Sequence, residues 1–215
     1  MKSNPQTRLL AFAKQTALPY LLKQPALQPF VEQLSFVLVG SVATGLCSEN
    51  SDVDIAIVCE SSIYSTLSQG TRWDSGRPTE VFIDGVQLHY YGITFDKIIN
   101  KMTELSDHYL FIYSHVQLLK DPQNAYRNRI SPFAAQQPKI RKQRIEGKAD
   151  MLKRRFSVLK LLFERKEDII SIMNLKLELV TRMLKLIALL DNVPFDSRKR
   201  LFQTSLAGKF GQQLH

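Results

Sequence analysis

Two aspartates that follow a small-residue turn constrain the fold of this chain more than any other feature. The apolar run 36–39 leads into Gly40-Ser41, which predicts a strand that ends in a tight turn. A second apolar run begins around Asp52 and Asp54, and it predicts another strand. Because side chains alternate along a strand, Asp52 and Asp54 are expected on one face of it.

This arrangement suits phosphate chemistry. Carboxylates two residues apart on a strand are separated by roughly 6.5–7 Å and can hold one or two hard cations. A Gly-Ser turn offers backbone N–H groups and a hydroxyl to phosphate oxygens. Cation, carboxylates and phosphate donors together make a phosphoryl or nucleotidyl transfer site. The alternative is an ordinary strand-turn-strand unit with acidic turn residues.

The spacing of these residues resembles the signature of the DNA polymerase β-like nucleotidyltransferase superfamily. Its small members include kanamycin-type antibiotic nucleotidyltransferases and the minimal nucleotidyltransferases of toxin–antitoxin pairs. Gly40-Ser41, a nine-residue spacer and then Ser51-Asp52-x-Asp54 match the pattern. The resemblance implies that Asp52 and Asp54 are catalytic and bind metal, usually Mg²⁺, with ATP as the expected co-substrate. It also implies that Gly40, Ser41 and Ser51 contact the nucleotide.

The third carboxylate of the family pattern is not evident. It is expected on the second strand of a hairpin over 80–94, but residues 86–91 include no Asp or Glu. His89 lies near the expected register, and we interpret it as a polar residue on a half-exposed strand, with metal ligation as the alternative. Glu80 and Asp84 are the other candidates. This departure leaves open a protein that binds nucleotide without transferring it.

The order of predicted elements indicates two domains. Strands interleaved with helices over residues 1–125 predict an α/β (α+β) nucleotidyltransferase-type mixed sheet with flanking helices. Its lead-in, 1–34, has a helical pattern that prolines are expected to break. Residues 126–145 are rich in Pro, Gln and Asn and predict a linker. Residues 146–215 predict a C-terminal α-helical bundle.

Two long helices are expected within that bundle, followed by a last helix over 198–209. One shows an amphipathic spacing of apolar residues, and the other is apolar over more than one face, which predicts a buried member of the bundle. The first carries Leu152, Phe156, Leu159 and Phe163, and the second runs from Ile172 to Leu190.

The charge of the chain favours an anionic partner. The net charge is +9, and residues 139–166 carry eleven Lys and Arg against three acids. We interpret this window as the solvated face of a helix; a positive wall for triphosphate or RNA is the alternative. The basic turn 198–200 resembles one in related helical domains, which implies a phosphate contact by Lys199. Glu178 and Arg182 fit an exposed i,i+4 pair, with a general-base role for Glu178 as the alternative.

Composition limits the compartment. No apolar run approaches the ~18–20 residues of a membrane span, and the N-terminal apolar stretch is too short for a signal peptide. Cys47 and Cys59 lack metal-type spacing. We therefore expect a cytoplasmic protein without membrane contact.

These observations predict an enzyme that moves a nucleoside monophosphate from ATP to a hydroxyl of a small, antibiotic-like acceptor with Mg²⁺. A non-catalytic nucleotide-binding or regulatory protein on the same fold is the first alternative. A protein-modifying or RNA-modifying nucleotidyltransferase is the second. Nucleic acid as a partner is not favoured, because the basic window lacks the aromatic interleaving typical of single-strand binders.

Overall fold

The computed structural model describes residues 4–69, 72–75, 77–103, 107–135, 137–191, 201–202, 205 and 208–214. The chain divides into two compact units, residues 1–135 and 136–215, and each is described by itself.

A five-stranded mixed sheet forms the centre of the first unit, as the sequence predicts. The strand order is β3-β4-β2-β1-β5, with β2 and β4 parallel and all other neighbours antiparallel. The strands are β1 (Ser35–Val39), β2 (Val53–Cys59), β3 (Thr79–Ile83), β4 (Val86–Thr94) and β5 (Gln117–Lys120).

The two central strands are buried on both faces. All of β1 is buried, and β2 is buried at every position except Asp54. Strands covered on both sides read as continuous apolar runs, which is why both were recognisable in the sequence. Asp54 is thus the polar exception in the middle of the sheet.

The hairpin between β3 and β4 closes at the predicted turn. Asp84 and Gly85 both adopt left-handed backbone conformations, with φ of 49° and 76°. This is the backbone of a type I′ turn, which matches the twist of the flanking strands. The turn sets the register that places Glu80 opposite His89.

Helices cover both faces of this sheet. The N-terminal helices pack with one face of β2, and Tyr113 of α6 reaches Tyr91 of β4 from the other. The helices are α1 (Pro5–Phe12), α2 (Leu18–Leu22), α3 (Gly40–Thr44), α4 (Ser61–Ser68), α5 (Phe95–Thr103), α6 (Asp107–Ser114), α7 (Ala125–Arg129) and α8 (Ser131–Ala135), with a π-helical turn at Ala13–Ala17 and 3₁₀ turns at Gln28–Gln33 and Arg72–Ser75.

Pro19 does not break the N-terminal helix, contrary to the sequence prediction. The chain stays helical from Pro5 to Leu22 through the π-helical turn. There the Leu18 N–H donates to the Ala13 carbonyl, five residues back. The π-helical turn is wider than an α-helical one and shifts the hydrogen bonds just before Pro19, which has no N–H to donate.

The predicted linker contains the boundary between the two units but is not an irregular segment. Residues 126–145 are mostly helical and belong to α7, α8 and the start of α9 (Gln137–Glu164). Pro132 and Pro138 each take the second position of a helix. A proline is tolerated there because the first-turn N–H groups have no partner within the helix.

The second unit is built on a hairpin of α9 and α10 (Ile169–Leu190), with a 3₁₀ turn at Gly211–Leu214. Leu152, Leu175 and Leu179 form its core. Asp168 caps α10 by accepting a hydrogen bond from the Ser171 N–H at 2.9 Å. Hydrogen bonds from the Ser171 side chain first, and then from its backbone N–H, lower the pKa of this carboxyl. The last predicted helix, 198–209, lies largely outside the described residues.

The prediction that α10 is buried is not confirmed. Met173, Leu177 and Val180 are all at least half exposed. One partner helix covers only one stripe of an α-helix, and α10 carries two apolar stripes. Within the described ranges, no helix combines the length and apolar content needed to cross a membrane.

Candidate functional site

Three side chains converge at the start of β2 and β4. Asp54 and His89 are register partners on these parallel strands, and Asp52 immediately precedes β2. His89 Nδ1 lies 3.0 Å from Asp52 Oδ2 and 3.4 Å from Asp54 Oδ1. A single ring nitrogen therefore faces both carboxylates, and the predicted aspartate pair lies together as expected.

The donor set fits a divalent cation. Asp52, Asp54 and His89 each offer one ligand atom, and these atoms lie within 4.8 Å of one another. All three residues are half-buried. Two carboxylate oxygens and an imidazole nitrogen are common ligands of divalent metals in proteins.

His89 has a larger part in this cluster than the sequence indicated. His89 is a half-buried polar residue on its strand, as interpreted, but parallel pairing of β2 with β4 also brings it against both aspartates. Its other ring nitrogen, Nε2, is buried and has no hydrogen-bond partner among the described residues. Packing rather than a second hydrogen bond holds the ring.

Glu80 and Asp84 do not join the cluster. Glu80 is paired with His89 across β3 and β4 but is exposed, and Asp84 lies in the exposed hairpin turn. Among the described residues, the group whose ligand atoms lie within 4.8 Å of one another is Asp52, Asp54 and His89, and it includes neither Glu80 nor Asp84. Of the three candidates for the third ligand, only His89 is in place.

Gly40 joins the phosphate-type turn to the carboxylates. Its φ is +72°, and a Cβ at this position would lie 2.6 Å from Asp54 Oδ2. Ser41 is buried in the first turn of α3, and Thr44 Oγ1 donates hydrogen bonds to the Gly40 and Ser41 carbonyls. The turn is thereby braced directly beside Asp54.

Ser51 closes the turn that delivers Asp52. Its hydroxyl accepts a hydrogen bond from the Ser48 N–H at 2.9 Å, and its own N–H donates to the Ser48 carbonyl at 3.2 Å. Reciprocal bonds of this kind make a short serine turn. Ser51 therefore orients the turn that precedes Asp52, while its predicted contact with the nucleotide stays a prediction.

Helix α1 contributes two residues that the sequence analysis missed. Arg8 Nη2 donates to the Glu49 carbonyl at 2.7 Å, and Gln6 Nε2 donates to the Val42 carbonyl at 3.4 Å. Both bonds tie α1 to the segment between the glycine turn and Asp52. The sequence carries no signal for them, because the contacts join positions about forty residues apart.

An open cleft of about 590 Å³ borders this segment. Ser51, Asn50 and Arg8 line one side of it, and Phe82 and Gln87 of the hairpin line another. Phe82 is 74% exposed, which is unusual for a large apolar residue. The cleft thus combines a flat apolar surface with amide and guanidinium donors next to Asp52.

A layer of tyrosines lies behind the cluster. The hydroxyls of Tyr91 and Tyr113 are 3.3 Å apart, and the Tyr126 hydroxyl donates to the Tyr113 carbonyl at 2.9 Å. Burial raises the pKa of Tyr91 to about 12, with the Asp54 charge as a smaller contribution. Burial also raises the pKa of Tyr113 and Tyr126, so the layer is uncharged at neutral pH.

The basic residues of the second unit give no phosphate site among the described residues. Lys199 and the turn 198–200 lie outside them. Glu178 is paired with Arg182 at 2.6 Å and with Arg155 at 3.5 Å, which confirms the expected i,i+4 pair. On the solvated face of α9, lysines alternate with acids in the pairs Lys142–Glu146, Lys153–Asp150 and Lys160–Glu164.

Comparisons with known proteins agree with this geometry. Residues 25–184 match the nucleotidyltransferase domain family. The fold is similar to the crystal structure of a nucleotidyltransferase-like protein from Exiguobacterium sibiricum, with a TM-score of 0.50 and 10% identity. That similarity covers 92% of this chain and 66% of the other, just under two thirds of its length. No curated protein matches the sequence.

The family match covers most of the chain and includes β1, the glycine turn, both aspartates and His89. It also agrees with the mixed sheet and with a metal-type cluster at the start of β2. The chain belongs to the DNA polymerase β-like nucleotidyltransferase domain family.

Proposed function

We propose that this protein transfers a nucleoside monophosphate from a nucleoside triphosphate, ATP foremost, to a hydroxyl of a small-molecule acceptor. A divalent cation, Mg²⁺ with the triphosphate, is the expected cofactor, and the cytoplasm is the expected compartment. The observation that carries the proposal is the convergence of Asp52, Asp54 and His89 within 4.8 Å beside the Gly40 turn.

The chain's own groups have distinct parts in this proposal. Asp52 and Asp54 would hold the cation, which when bound neutralises phosphate charge and lowers the pKa of a nearby hydroxyl. Backbone N–H groups of the Gly40-Ser41 turn would bind phosphate oxygens. The buried tyrosine layer keeps water away from the rear of the site, because Tyr113 and Tyr126 are closed within the protein.

The cleft beside Asp52 supports a small acceptor or a nucleobase rather than a long polymer. Phe82 offers an aromatic face for stacking, and Asn50 and Gln87 offer amide hydrogen bonds. Its volume of about 590 Å³ falls within the range of ligand sites. An antibiotic-like acceptor is the specific form of this proposal.

A non-catalytic nucleotide-binding protein is the second candidate function. The observation that favours it is that His89 stands where the family has a third carboxylate, so the cluster carries less negative charge. Two dications close together need that charge for stability. This candidate predicts nucleotide binding without pyrophosphate release.

The test combines two measurements on the full chain. Calorimetry would follow ATP and GTP binding with and without divalent cation, and a pyrophosphate assay would follow turnover with a panel of hydroxyl compounds. We expect cation-dependent binding and acceptor-dependent release. Binding without release across the panel would favour the second candidate, and no binding would contradict both.

A double variant identifies the site. Asp52→Asn with Asp54→Asn should abolish cation-dependent nucleotide binding while the fold persists. Asp84→Asn is the matched control, because it makes the same chemical change in an exposed turn outside the cluster. Cation-dependent ATP binding that survives in the double variant would remove the assignment of this site.

A further inference from the structure

The metal-type cluster contains two carboxylates, Asp52 and Asp54, and one imidazole, His89. His89 approaches both aspartates through one nitrogen, at 3.0 Å and 3.4 Å. An imidazole suits Zn²⁺ best, and a mixed nitrogen and oxygen site also binds Mn²⁺ at the weak end of the transition-metal series. Mg²⁺ prefers oxygen ligands and gives up its water reluctantly. The set Asp52, Asp54 and His89 therefore carries two negative charges and one borderline-soft donor.

We propose that His89 makes this cluster a site for one transition-metal dication, Mn²⁺ or Zn²⁺, which the protein binds in preference to Mg²⁺. Mg²⁺ would then arrive with the triphosphate. That last part rests on the proposed function, whereas binding of the protein-held ion does not depend on it.

The experiment titrates the full chain with MnCl₂, ZnCl₂ and MgCl₂ in the absence of nucleotide. We expect Zn²⁺ and Mn²⁺ to bind more tightly than Mg²⁺. In His89→Asp, the ratio of Zn²⁺ to Mg²⁺ affinity should fall by at least about ten-fold. Gln87→Asp, with the same new charge two residues away on the same strand face, should keep the ratio.

A spectroscopic readout separates ligation from charge. Pulsed electron paramagnetic resonance of the Mn²⁺-loaded chain should show coupling to an imidazole nitrogen, and His89→Gln should lose it. Absence of nitrogen coupling in the unaltered protein, or an unchanged affinity ratio in folded His89→Asp, would overturn the proposal. Failure of nucleotidyl transfer with this metal preference intact would instead count against the proposed function alone.

A second, independent inference concerns helix α10. One apolar stripe of this helix packs against α9. A second stripe follows the 3-4-3 spacing of a coiled-coil seam, and it is exposed. This outer stripe consists of Ile170 (67% exposed), Met173 (56%), Leu177 (65%) and Val180 (50%).

Helix α9 extends the apolar surface beside this stripe. The Lys176 ammonium lies 5.0 Å from the centre of the Phe163 ring, so Phe163 is next to α10. Phe156 lies two helical turns earlier on the same side of α9. We name this surface the outer face: Phe156, Phe163, Ile169, Ile170, Met173, Leu177 and Val180, each at least 50% exposed.

The outer face is too large for an ordinary monomer surface. Seven large apolar side chains, at about 100 Å² exposed each, give roughly 700 Å². The largest apolar patch of a typical monomer is about 300–600 Å², and a stable interface buries about 800 Å² per partner. A surface of this size is expected to be covered in solution.

The outer face itself favours an identical partner over a polyanion. Its seven side chains are uncharged, whereas a surface that binds nucleic acid is positively charged. An apolar surface is matched by another apolar surface, and a second copy offers the same one. Further along α10, the Ser205 hydroxyl donates to the Leu184 carbonyl, so the chain itself already covers the later part of this helix.

We infer that a second copy of this chain packs its outer face against the first, so that two α9–α10 hairpins form a four-helix bundle. Bundles of this kind bury two apolar stripes per helix.

The test is the mass of the full chain in solution, by sedimentation or light scattering at micromolar concentration. The unaltered protein should be a dimer, and Leu177→Glu or Met173→Glu should be a monomer with unchanged far-UV circular dichroism. Ser157→Glu, an exposed residue on the solvated side of α9, is the matched control and should stay a dimer. A monomeric unaltered protein, or a Leu177→Glu dimer, would overturn the inference.

Discussion

Gly40 lies so close to Asp54 that a Cβ at position 40 would be 2.6 Å from Asp54 Oδ2. Gly40 directly follows β1, and Val39, the last residue of β1, is the register partner of Asp54 on β2. The absence of a side chain at position 40 therefore allows the phosphate-type turn and the metal-type carboxylate to meet.

Replacing Gly40 should disable the site more than it destabilises the fold. Both Gly40→Ala and Gly85→Ala place a side chain at a positive φ, +72° and +76°, and each should cost about 1–2 kcal/mol of unfolding free energy. Only Gly40→Ala also pushes Asp54 aside. We expect its cation affinity to fall by roughly ten-fold or more, with Gly85→Ala unchanged.

Chemical denaturation and metal titration of both variants test this prediction. Gly85 is a suitable comparison because a Cβ there would meet nothing within 4 Å. Equal cation affinity in the two variants would contradict the claimed contact between Gly40 and Asp54.

Arg8 should support nucleotide binding by holding the segment that leads to Asp52 in place. Its guanidinium holds the Glu49 carbonyl at 2.7 Å, in the segment that leads to Asp52. Arg8→Ala removes about 0.5–1.5 kcal/mol of hydrogen bonding and should weaken nucleotide binding several-fold. Lys14→Ala removes the same charge from an exposed position further along the N-terminal helix and should leave nucleotide affinity unchanged. An equal loss of nucleotide affinity in Arg8→Ala and Lys14→Ala would indicate a general charge effect.

The buried tyrosines predict a loss of stability at high pH. Burial raises the pKa of Tyr91 to about 12, and that of Tyr113 rises as well, whereas unfolded tyrosine titrates near 10. Between these values the unfolded chain releases protons that the folded chain keeps. The contribution of these tyrosines to the unfolding free energy should therefore be constant below pH 10 and fall by up to about 1.4 kcal/mol per pH unit for each such tyrosine above it.

Urea denaturation at a series of alkaline pH values measures this slope. Tyr113→Phe removes one titrating group and should make the slope shallower, at some cost in stability at neutral pH. A slope that is the same in Tyr113→Phe would show that this tyrosine ionises equally in the folded and unfolded states.

Cys59 should report unfolding of the first unit. It is buried in β2, and burial raises the pKa of its thiol to about 12, with the Glu60 charge as a smaller cause. Iodoacetamide at pH 8 should leave Cys59 unmodified in the native protein, because the thiolate is the reactive form. In Cys47→Ala, mass spectrometry should detect labelling only after denaturant is added. Rapid native labelling of that variant would contradict the burial of Cys59.

Local sequence patterns were sufficient for the sheet strands and the aspartate pair. The strands β1 and β2 are continuous apolar runs, and Asp84-Gly85 is a turn that few other residue pairs can form. Asp52 and Asp54 are two residues apart, so strand periodicity alone places them on one face. Each of these predictions depends on neighbours along the chain.

The effect of prolines on helices and the burial of α10 were less predictable, because both depend on how the surrounding chain packs. Pro19 stays within a helix through a π-helical turn, and Pro132 and Pro138 begin helices instead of marking a linker. The composition of α10 indicated a buried helix, but the number of packing partners, not composition, decides which apolar stripes are covered.

The sequence by itself determined the family, the mixed α/β sheet and the two aspartates of the site, because these follow from spacing along one or two adjacent strands. The tertiary structure decided that His89 joins them and that Glu80 and Asp84 do not. It also decided that Arg8 braces the same segment. The physical reason is that parallel pairing of β2 with β4, and docking of α1, join residues more than thirty positions apart, and no local pattern encodes such contacts.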